Sequence, residues 1–515
     1  MTDRVRPYMF YDIAVSICST CYRKVEGKIL FEDDKVYLTK RCPQHGAEKV
    51  LMADDVDYYR RSREVFLKKP EMPARYNTPV LYGCPYDCGL CGDHEQHSCL
   101  SIIEIADFCN LSCPICYAES GPTRQQFRTL AEIEFMLDAV VKNELEPDVV
   151  QISGGEPTMH PDFFAVLDLA KQRPIKHLMV NTNGLRIAKD EAFVERLATY
   201  MPGFELYLQF DSFKEEALVE LRGKDLREVR MQALEKLNRH GISTTLVVTL
   251  KKGLNDDEIG KIIEFALQQP CVRGVTLQPI QAAGRLEGYD PATDRLTLTE
   301  VRRRILEQTD IFRPEDIIPV PCHPDSLAMA YALKLGGSVT PLTGMIDPQL
   351  LIDGGRNTII YEKDNVLREQ LFKLFSTNHS PDSGAASLRD LLCCLPQAEV
   401  TPGIGYENLF RVLIVQFIDA QSFDLRSVKK TCVHIVHPDG RLIPFDTYNM
   451  FYRDDLEETR LKPLRDEILP ALAGRKAKHL TGEDQVRVAA DGAAVEGVDL
   501  GPALLVAELG AGDGA

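Results

Sequence analysis

Long apolar runs are missing from this chain. It contains no stretch of about 18 apolar residues, the length a membrane-spanning helix needs, so no such helix is expected. Met1 to Phe10 carries Arg4 and Arg6 but no apolar segment, so no secretory leader is expected, and a cytoplasmic protein is. Positive charge is also short: 60 Lys and Arg against 77 Asp and Glu give a net charge of −17. Phosphate binding needs a basic face, so nucleic acid is not expected as a partner. The acidic balance favours solubility instead. Internal repeats are absent, apart from one doubled cysteine pattern.

The 515 residues exceed one ordinary core, so about two to four domains are expected. Cysteine is plentiful: there are 15, ten of them between Cys18 and Cys116. With no leader expected, they read as metal ligands of a reduced, cytosolic protein rather than a disulfide framework.

Three of them form Cys109-x3-Cys113-x2-Cys116, with Tyr117 directly after. Thiolates at this spacing can hold three irons of a four-iron cluster and leave the fourth iron open. An open iron can bind and reduce a second molecule, which points to an enzyme. A zinc site or buried structural thiols are the plainer readings of the triad taken alone. Cys84-x3-Cys88-x2-Cys91 repeats the spacing, and Cys99 offers a fourth ligand that would close its cluster. A closed cluster passes electrons. Cys18, Cys21, Cys42 and His45 have the layout of a zinc-ribbon or rubredoxin-like knuckle, a Cys3His set for one zinc or iron. A module that short has little core, so the metal would supply much of its folding energy. Cys322, Cys393, Cys394 and Cys432 could gather a further cluster from distant segments, with buried free thiols as the alternative. Cys271 reads as a core cysteine.

Five regions are expected. Residues 1–70 form the metal knuckle, with a strand-like stretch at 28–40 and a charged helix within 53–70. Residues 71–100 form an auxiliary iron–sulfur module. Residues 101–290 alternate strand and helix, with strands at 101–106, 149–153, 177–181, 205–210, 244–250 and 274–279. Six such units imply a parallel sheet with right-handed crossovers, best closed as a partial (β/α)6 barrel. Residues 291–475 read as a C-terminal α/β domain. Residues 476–515, rich in Ala, Gly and Asp, read as a loosely ordered tail. Chemistry should sit at the C-terminal ends of the barrel strands. The 109–116 triad follows the first strand, Gly154-Gly155-Glu156-Pro157 follows the second, Asn181 to Gly184 follow the third, and Gln209 to Ser212 end the fourth.

The triad with Tyr117, followed one strand later by Gly154-Gly155-Glu156-Pro157, resembles the radical S-adenosylmethionine superfamily. The resemblance implies that the 109–116 cluster chelates S-adenosylmethionine and cleaves it to a 5′-deoxyadenosyl radical. It implies cofactor contacts from Tyr117, from the 154–157 segment, and from Asn181, Asn183, Gln209 and Asp211. Arg285 and Gln278 are candidates for the adenosine or carboxylate. The N-terminal order, a knuckle, then GCPYDCGLC with a trailing HSC, then EIADFCNLSCPICYA, is similar to the tetraether lipid synthases and the pterin-dependent, class D-type methyltransferases. The segment from Val433 to Phe445 resembles the C-terminal domain of that group, so the resemblance spans about residues 10–470. It implies one or two auxiliary 4Fe–4S clusters besides the first, one mononuclear metal, and a low-potential donor such as ferredoxin or flavodoxin. Coupling of lipid chains at sp3 carbons is the leading expectation, with peripheral membrane contact compatible with it. Methyl transfer to a pterin-like heterocycle from a reduced folate is the alternative, and an iron–sulfur carrier or scaffold is the non-enzyme reading. Two residues depart from the group's pattern: His45 stands where a rubredoxin-like site has cysteine, and Asp446 supplies no second cysteine after Cys432.

Overall fold

The structure, a computed structural model, describes residues 6–335, 337–353 and 408–469. Cys393, Cys394 and the tail expected at 476–515 lie outside the described residues.

Four strands open the chain: β1 (Met9–Ile17), β2 (Lys24–Glu32), β3 (Lys35–Cys42) and β4 (Gly46–Ala53), an antiparallel sheet in sequence order. The stretch expected as a single strand at 28–40 is instead a hairpin. Its turn residues Asp33 and Asp34 both have positive φ, 50° and 59°. Aspartate tolerates that backbone and so can make a two-residue turn, here within the charged run from Glu32 to Lys35. Helix α1 (Val56–Glu64) follows, its first turn capped by the Asp55 carboxylate, which accepts from the Tyr58 N–H.

The central sheet begins with β5 (Leu100–Glu104). Helix α2 (Leu130–Glu144) leads to β6 (Val149–Ser153), α3 (Phe163–Lys171) to β7 (His177–Thr182), and α4 (Glu191–Ala198) to β8 (Phe204–Gln209). Helix α5 (Arg227–His240) leads to β9 (Thr244–Leu250), and α6 (Ile259–Gln268) to β10 (Val272–Pro279). All five neighbouring pairs from β5 to β10 are parallel. The strands are buried on both faces, as a sheet covered by its own crossover helices requires. Thr129 opens α2 with a reciprocal capping box to Glu132. The apolar faces of the helices meet the outer faces of the strands in one continuous core that includes Ile133, Leu137, Phe163, Val180, Leu206, Leu246 and Val275.

The segment expected as a C-terminal α/β domain extends this sheet at both edges. Helix α7 (Leu298–Gln308) precedes β11 (Leu327–Leu335), which pairs antiparallel with β12 (Leu409–Val415), and β12 lies parallel to β10. At the other edge β13 (Val433–Val436) lies parallel to β5 and turns into β14 (Leu442–Pro444). The six-stranded unit legible in the sequence is therefore flanked on both sides by strands from the chain's second half.

Among the described residues, no helix is long and apolar enough to cross a membrane.

Candidate active site

The lumen of the sheet holds a cavity of about 200 Å³ bordered by Cys109, Cys113, Cys116 and Tyr117. The loop carrying the three cysteines leaves β5 and is pinned from several sides. Its end, Ile115–Cys116, pairs antiparallel with Arg285–Leu286. Gly154 and Gly155 pack directly on its start: the Gly155 N–H donates to the Ala106 carbonyl at 2.6 Å, and the Glu156 N–H to the Phe108 carbonyl at 2.8 Å. A Cβ on Gly155 would overlap the Phe108 carbonyl, and one on Gly154 would overlap that of Ala106. Both positions thus require glycine because two backbones touch there.

Burial pushes the Cys109 thiol up to about 12, with the Glu156 carboxylate adding to the shift, and burial likewise raises Cys113. The Arg222 guanidinium beside Cys113 acts in the opposite direction, favouring its thiolate. Thiolates are what an iron site needs, so an adjacent buried cation suits the role. The three sulfurs do not crowd within the 4.8 Å that gathers single-ion ligand sets elsewhere in the chain, and a cluster separates its thiolates more than one ion does. The donor set fits the implied cluster.

The other expected cofactor residues divide. Tyr117, Gly154, Gly155, Asn181, Asn183 and Gln209 border the lumen; Glu156, Pro157, Asp211 and Arg285 do not. The Glu156 carboxylate is fully buried and accepts from the Thr182 and Thr158 hydroxyls and the Asn183 N–H, tying the end of β6 to the end of β7. Asp211, at φ 67°, is held by both arms of Arg222 (2.6 and 2.8 Å) and by the Thr249 N–H. Its carboxylate is turned to Arg222, and of the two it is Arg222 that borders the lumen. Arg285 donates to the carbonyls of Cys113 (2.6 Å) and Ser120 (2.8 Å), so it braces the cysteine loop rather than reaching for a ligand. Sequence reasoning missed Arg222, which belongs to no local motif, and Arg411, Phe417 and Phe445, which reach the lumen from the chain's second half. The Phe417 and Phe445 rings stack at 3.9 Å, with Tyr117 edge-on to Phe445.

Nine of the remaining cysteines form three groups, and Cys271 lies in the apolar core. Cys18, Cys21, Cys42 and His45 present ligand atoms all within 4.8 Å of one another. The Cys21 and Cys42 sulfurs are 3.8 Å apart, and His45 Nδ1 is 3.5 Å from both the Cys18 and Cys42 sulfurs. A tetrahedral zinc with bonds of about 2.3 Å to sulfur and about 2.0 Å to nitrogen implies separations of about 3.8 and 3.5 Å. The residues fit one tetrahedral ion, with His45 as a ligand. Cys84, Cys88 and Cys91 interact with one another. Cys99, expected to complete that set, stands instead with Cys322 and Cys432, the three sulfurs within 4.8 Å and fully buried. The pairing follows from topology: Cys99 and Cys432 immediately precede the paired strands β5 and β13. His97 Nε2 lies 3.6 Å from the Cys99 sulfur.

Residues 103–266 match the model of the radical SAM superfamily. The parallel sheet and the lumen-facing cysteine loop thus form a radical SAM domain. More particularly, residues 10–54 match the HMPTM N-terminal zinc ribbon domain. The chain is 29% identical over 496 residues to the 7,8-dihydro-6-hydroxymethylpterin dimethyltransferase of Methanocaldococcus jannaschii, covering 88% of this chain and 96% of the relative. It is 27% identical over 173 residues to a GTP 3′,8-cyclase of Shewanella denitrificans, covering 33% of this chain and about half, 49%, of that enzyme. Among solved structures, Streptococcus suis SuiB bound to precursor peptide SuiA is similar over 42% of this chain and 47% of its own, at 18% identity and a TM-score of 0.35.

Proposed function

We propose that this enzyme transfers methyl groups to a pterin-like heterocycle by radical chemistry. The observation that carries the reading is the near end-to-end match to a pterin dimethyltransferase, which extends through the zinc ribbon and the second half of the chain. Lipid coupling, the leading expectation from the sequence, has no support among these relatives. The lumen is lined by Gln151, Asn181, Gln209 and Gln278 among apolar side chains, which suits a compact heterocycle with polar edges. An alkyl chain there would leave the Gln209 Oε1, which has no partner among the described residues, without one from the ligand, which is costly.

Cys109, Cys113 and Cys116 would hold a 4Fe–4S cluster, and Tyr117, Gly154, Gly155, Asn181, Asn183 and Gln209 would border S-adenosylmethionine. When bound, that pair supplies a 5′-deoxyadenosyl radical able to take hydrogen from an unreactive carbon. Arg222, fixed by Asp211, places a permanent positive charge beside Cys113 and stabilises its thiolate. Arg285 and the 154–155 glycines hold the loop backbone against movement. Phe417, Phe445 and Tyr117 wall the lumen on the loop side and keep water from the reacting atoms. Cys84, Cys88 and Cys91, together with the Cys99–Cys322–Cys432 group, would serve electron transfer or structure, fed by a low-potential donor such as ferredoxin or flavodoxin.

The test is anaerobic reconstitution with iron and sulfide, then incubation with S-adenosylmethionine, a reduced folate, dithionite and 7,8-dihydro-6-hydroxymethylpterin. A methylated pterin by mass spectrometry is the expected product. Its absence, together with loss of a dimerised lipid from cells lacking the protein, would return lipid coupling to first place.

A further inference from the structure

Three strands present a hydrogen-bonding surface to the lumen that the loop chemistry does not use. Gln151 lies two residues before the end of β6, is 4% exposed, and borders the cavity with no hydrogen-bond partner among the described residues. Gln278, from β10, spends its Nε2 on the Tyr207 hydroxyl of β8 at 3.0 Å, and its carbonyl oxygen takes no bond. Gln209 Oε1 is buried and unpartnered. Gln209 lies with the cofactor residues, whereas the Gln151 and Gln278 carboxamides face the cavity with bonding capacity that a ligand can take up.

The charges narrow the ligand. Among the described residues no carboxylate borders the lumen, and the two guanidinium groups there are already paired, Arg222 with Asp211 and Arg411 with the buried Glu205 at 2.6 Å. Against the cost of burial, Arg411 holds Glu205 well below the usual carboxylate range, so that pair stays ionised and mutually satisfied. A ligand carrying several phosphates would find no unpaired cation here. A neutral ring would find carboxamides on one side and the side chains of Leu100, Leu413 and Val433 as apolar surface. A primary carboxamide offers one donor beside one acceptor, the complement of a lactam edge, N–H beside C=O.

Resting on the pterin reading above, we infer that Gln151 reads the lactam edge of the heterocycle in the lumen, with the Tyr207–Gln278 pair positioned as a second contact. The site therefore selects a neutral, lactam-bearing bicycle over nucleotides and over alkyl chains. Gln151 and Gln278 are specificity residues for the substrate and leave cofactor cleavage to the cysteine loop.

The experiment uses the reconstituted full-length enzyme and two probes, 6-hydroxymethylpterin and its N3-methyl derivative, followed by their own fluorescence. In the wild type, N3 methylation should weaken binding, because it removes the lactam donor. Gln151→Leu should weaken binding of the parent pterin by about tenfold to a hundredfold, and N3 methylation should then cost nothing further. Gln278→Leu should weaken binding less. Gln151→Leu should form 5′-deoxyadenosine from S-adenosylmethionine and dithionite, without pterin, at the wild-type rate, which also reports that it folds and carries the first cluster. Wild-type-like pterin binding by Gln151→Leu, or an equal N3-methyl penalty in variant and wild type, overturns the inference and leaves the pterin reading standing. Loss of 5′-deoxyadenosine in a variant that retains its iron overturns it by assigning Gln151 to the cofactor. Absence of pterin binding by the wild type overturns the pterin reading itself.

Discussion

Cys84-x3-Cys88-x2-Cys91 and Cys109-x3-Cys113-x2-Cys116 share one spacing, yet only the second borders the lumen. The first is packed into a wall of Tyr86, Phe451 and Tyr452, and the Cys88 N–H donates to the Tyr452 hydroxyl. The second leaves a barrel strand, is backed by two obligatory glycines, and has Arg222 beside it. Spacing decides that a triad can hold a cluster; the elements around it decide whether anything else can reach that cluster.

The sharpest way to break the comparison is to remove one cysteine from each triad. Cys113→Ala should abolish 5′-deoxyadenosine formation, whereas Cys88→Ala should retain a measurable rate, both assayed with dithionite after reconstitution. Equal loss in both would erase the distinction. Next in size is Arg222→Met, which takes the bidentate partner from Asp211, fully buried at 0% exposure, and leaves it the more distant Arg230 at 3.9 Å. It should destabilise the fold by about 3–5 kcal/mol in chemical denaturation, and the added change Asp211→Asn should recover part of that. Gly155→Ala tests the backbone contact. Forcing the loop off Phe108 should cost about 1–3 kcal/mol and lower the iron bound at 109–116 without touching the zinc ribbon, as metal analysis of the separate sites would show.

The smallest effect concerns Asp446, next to Phe445 in the lumen wall. Burial raises its carboxyl from 3.8 to about 7. A raised folded pKa gives stability that is full below 3.8 and lost as pH rises through about 7. Its oxygens accept from the Ile418 N–H and the Thr431 hydroxyl, bonds that the neutral acid keeps. Asp446→Asn should therefore flatten the pH profile of thermal stability over that window and exceed the wild type above it. A slope unchanged by the substitution would show that Asp446 does not titrate there.

Much of the barrel was legible in the sequence, because buried parallel strands and amphipathic helices write strong periodic signals. Val149–Ser153 and Thr244–Leu250 fall where apolar runs put them, and the other strands lie within about two residues. The cysteine loop and GGEP were legible as local motifs. What sequence reading missed depends on long-range pairing. Cys99 meets Cys432 because β5 and β13 lie side by side, a contact across 333 residues that no spacing rule encodes. The family resemblance implies a cofactor contact for Asp211, but a helix brings Arg222 back to pair with it. The hairpin at Asp33 and Asp34 was missed although the charged run from Glu32 to Lys35 interrupts the apolar pattern there.

One measurement bears most directly on the claim that the 109–116 triad binds the cofactor. It is the electron paramagnetic resonance spectrum of the dithionite-reduced Cys84→Ala/Cys88→Ala/Cys91→Ala enzyme, before and after S-adenosylmethionine. This account predicts a cluster signal that changes on addition of the cofactor, as an open iron filling its empty position must. A spectrum indifferent to S-adenosylmethionine in this variant, with the response surviving in Cys109→Ala/Cys113→Ala/Cys116→Ala, would contradict it.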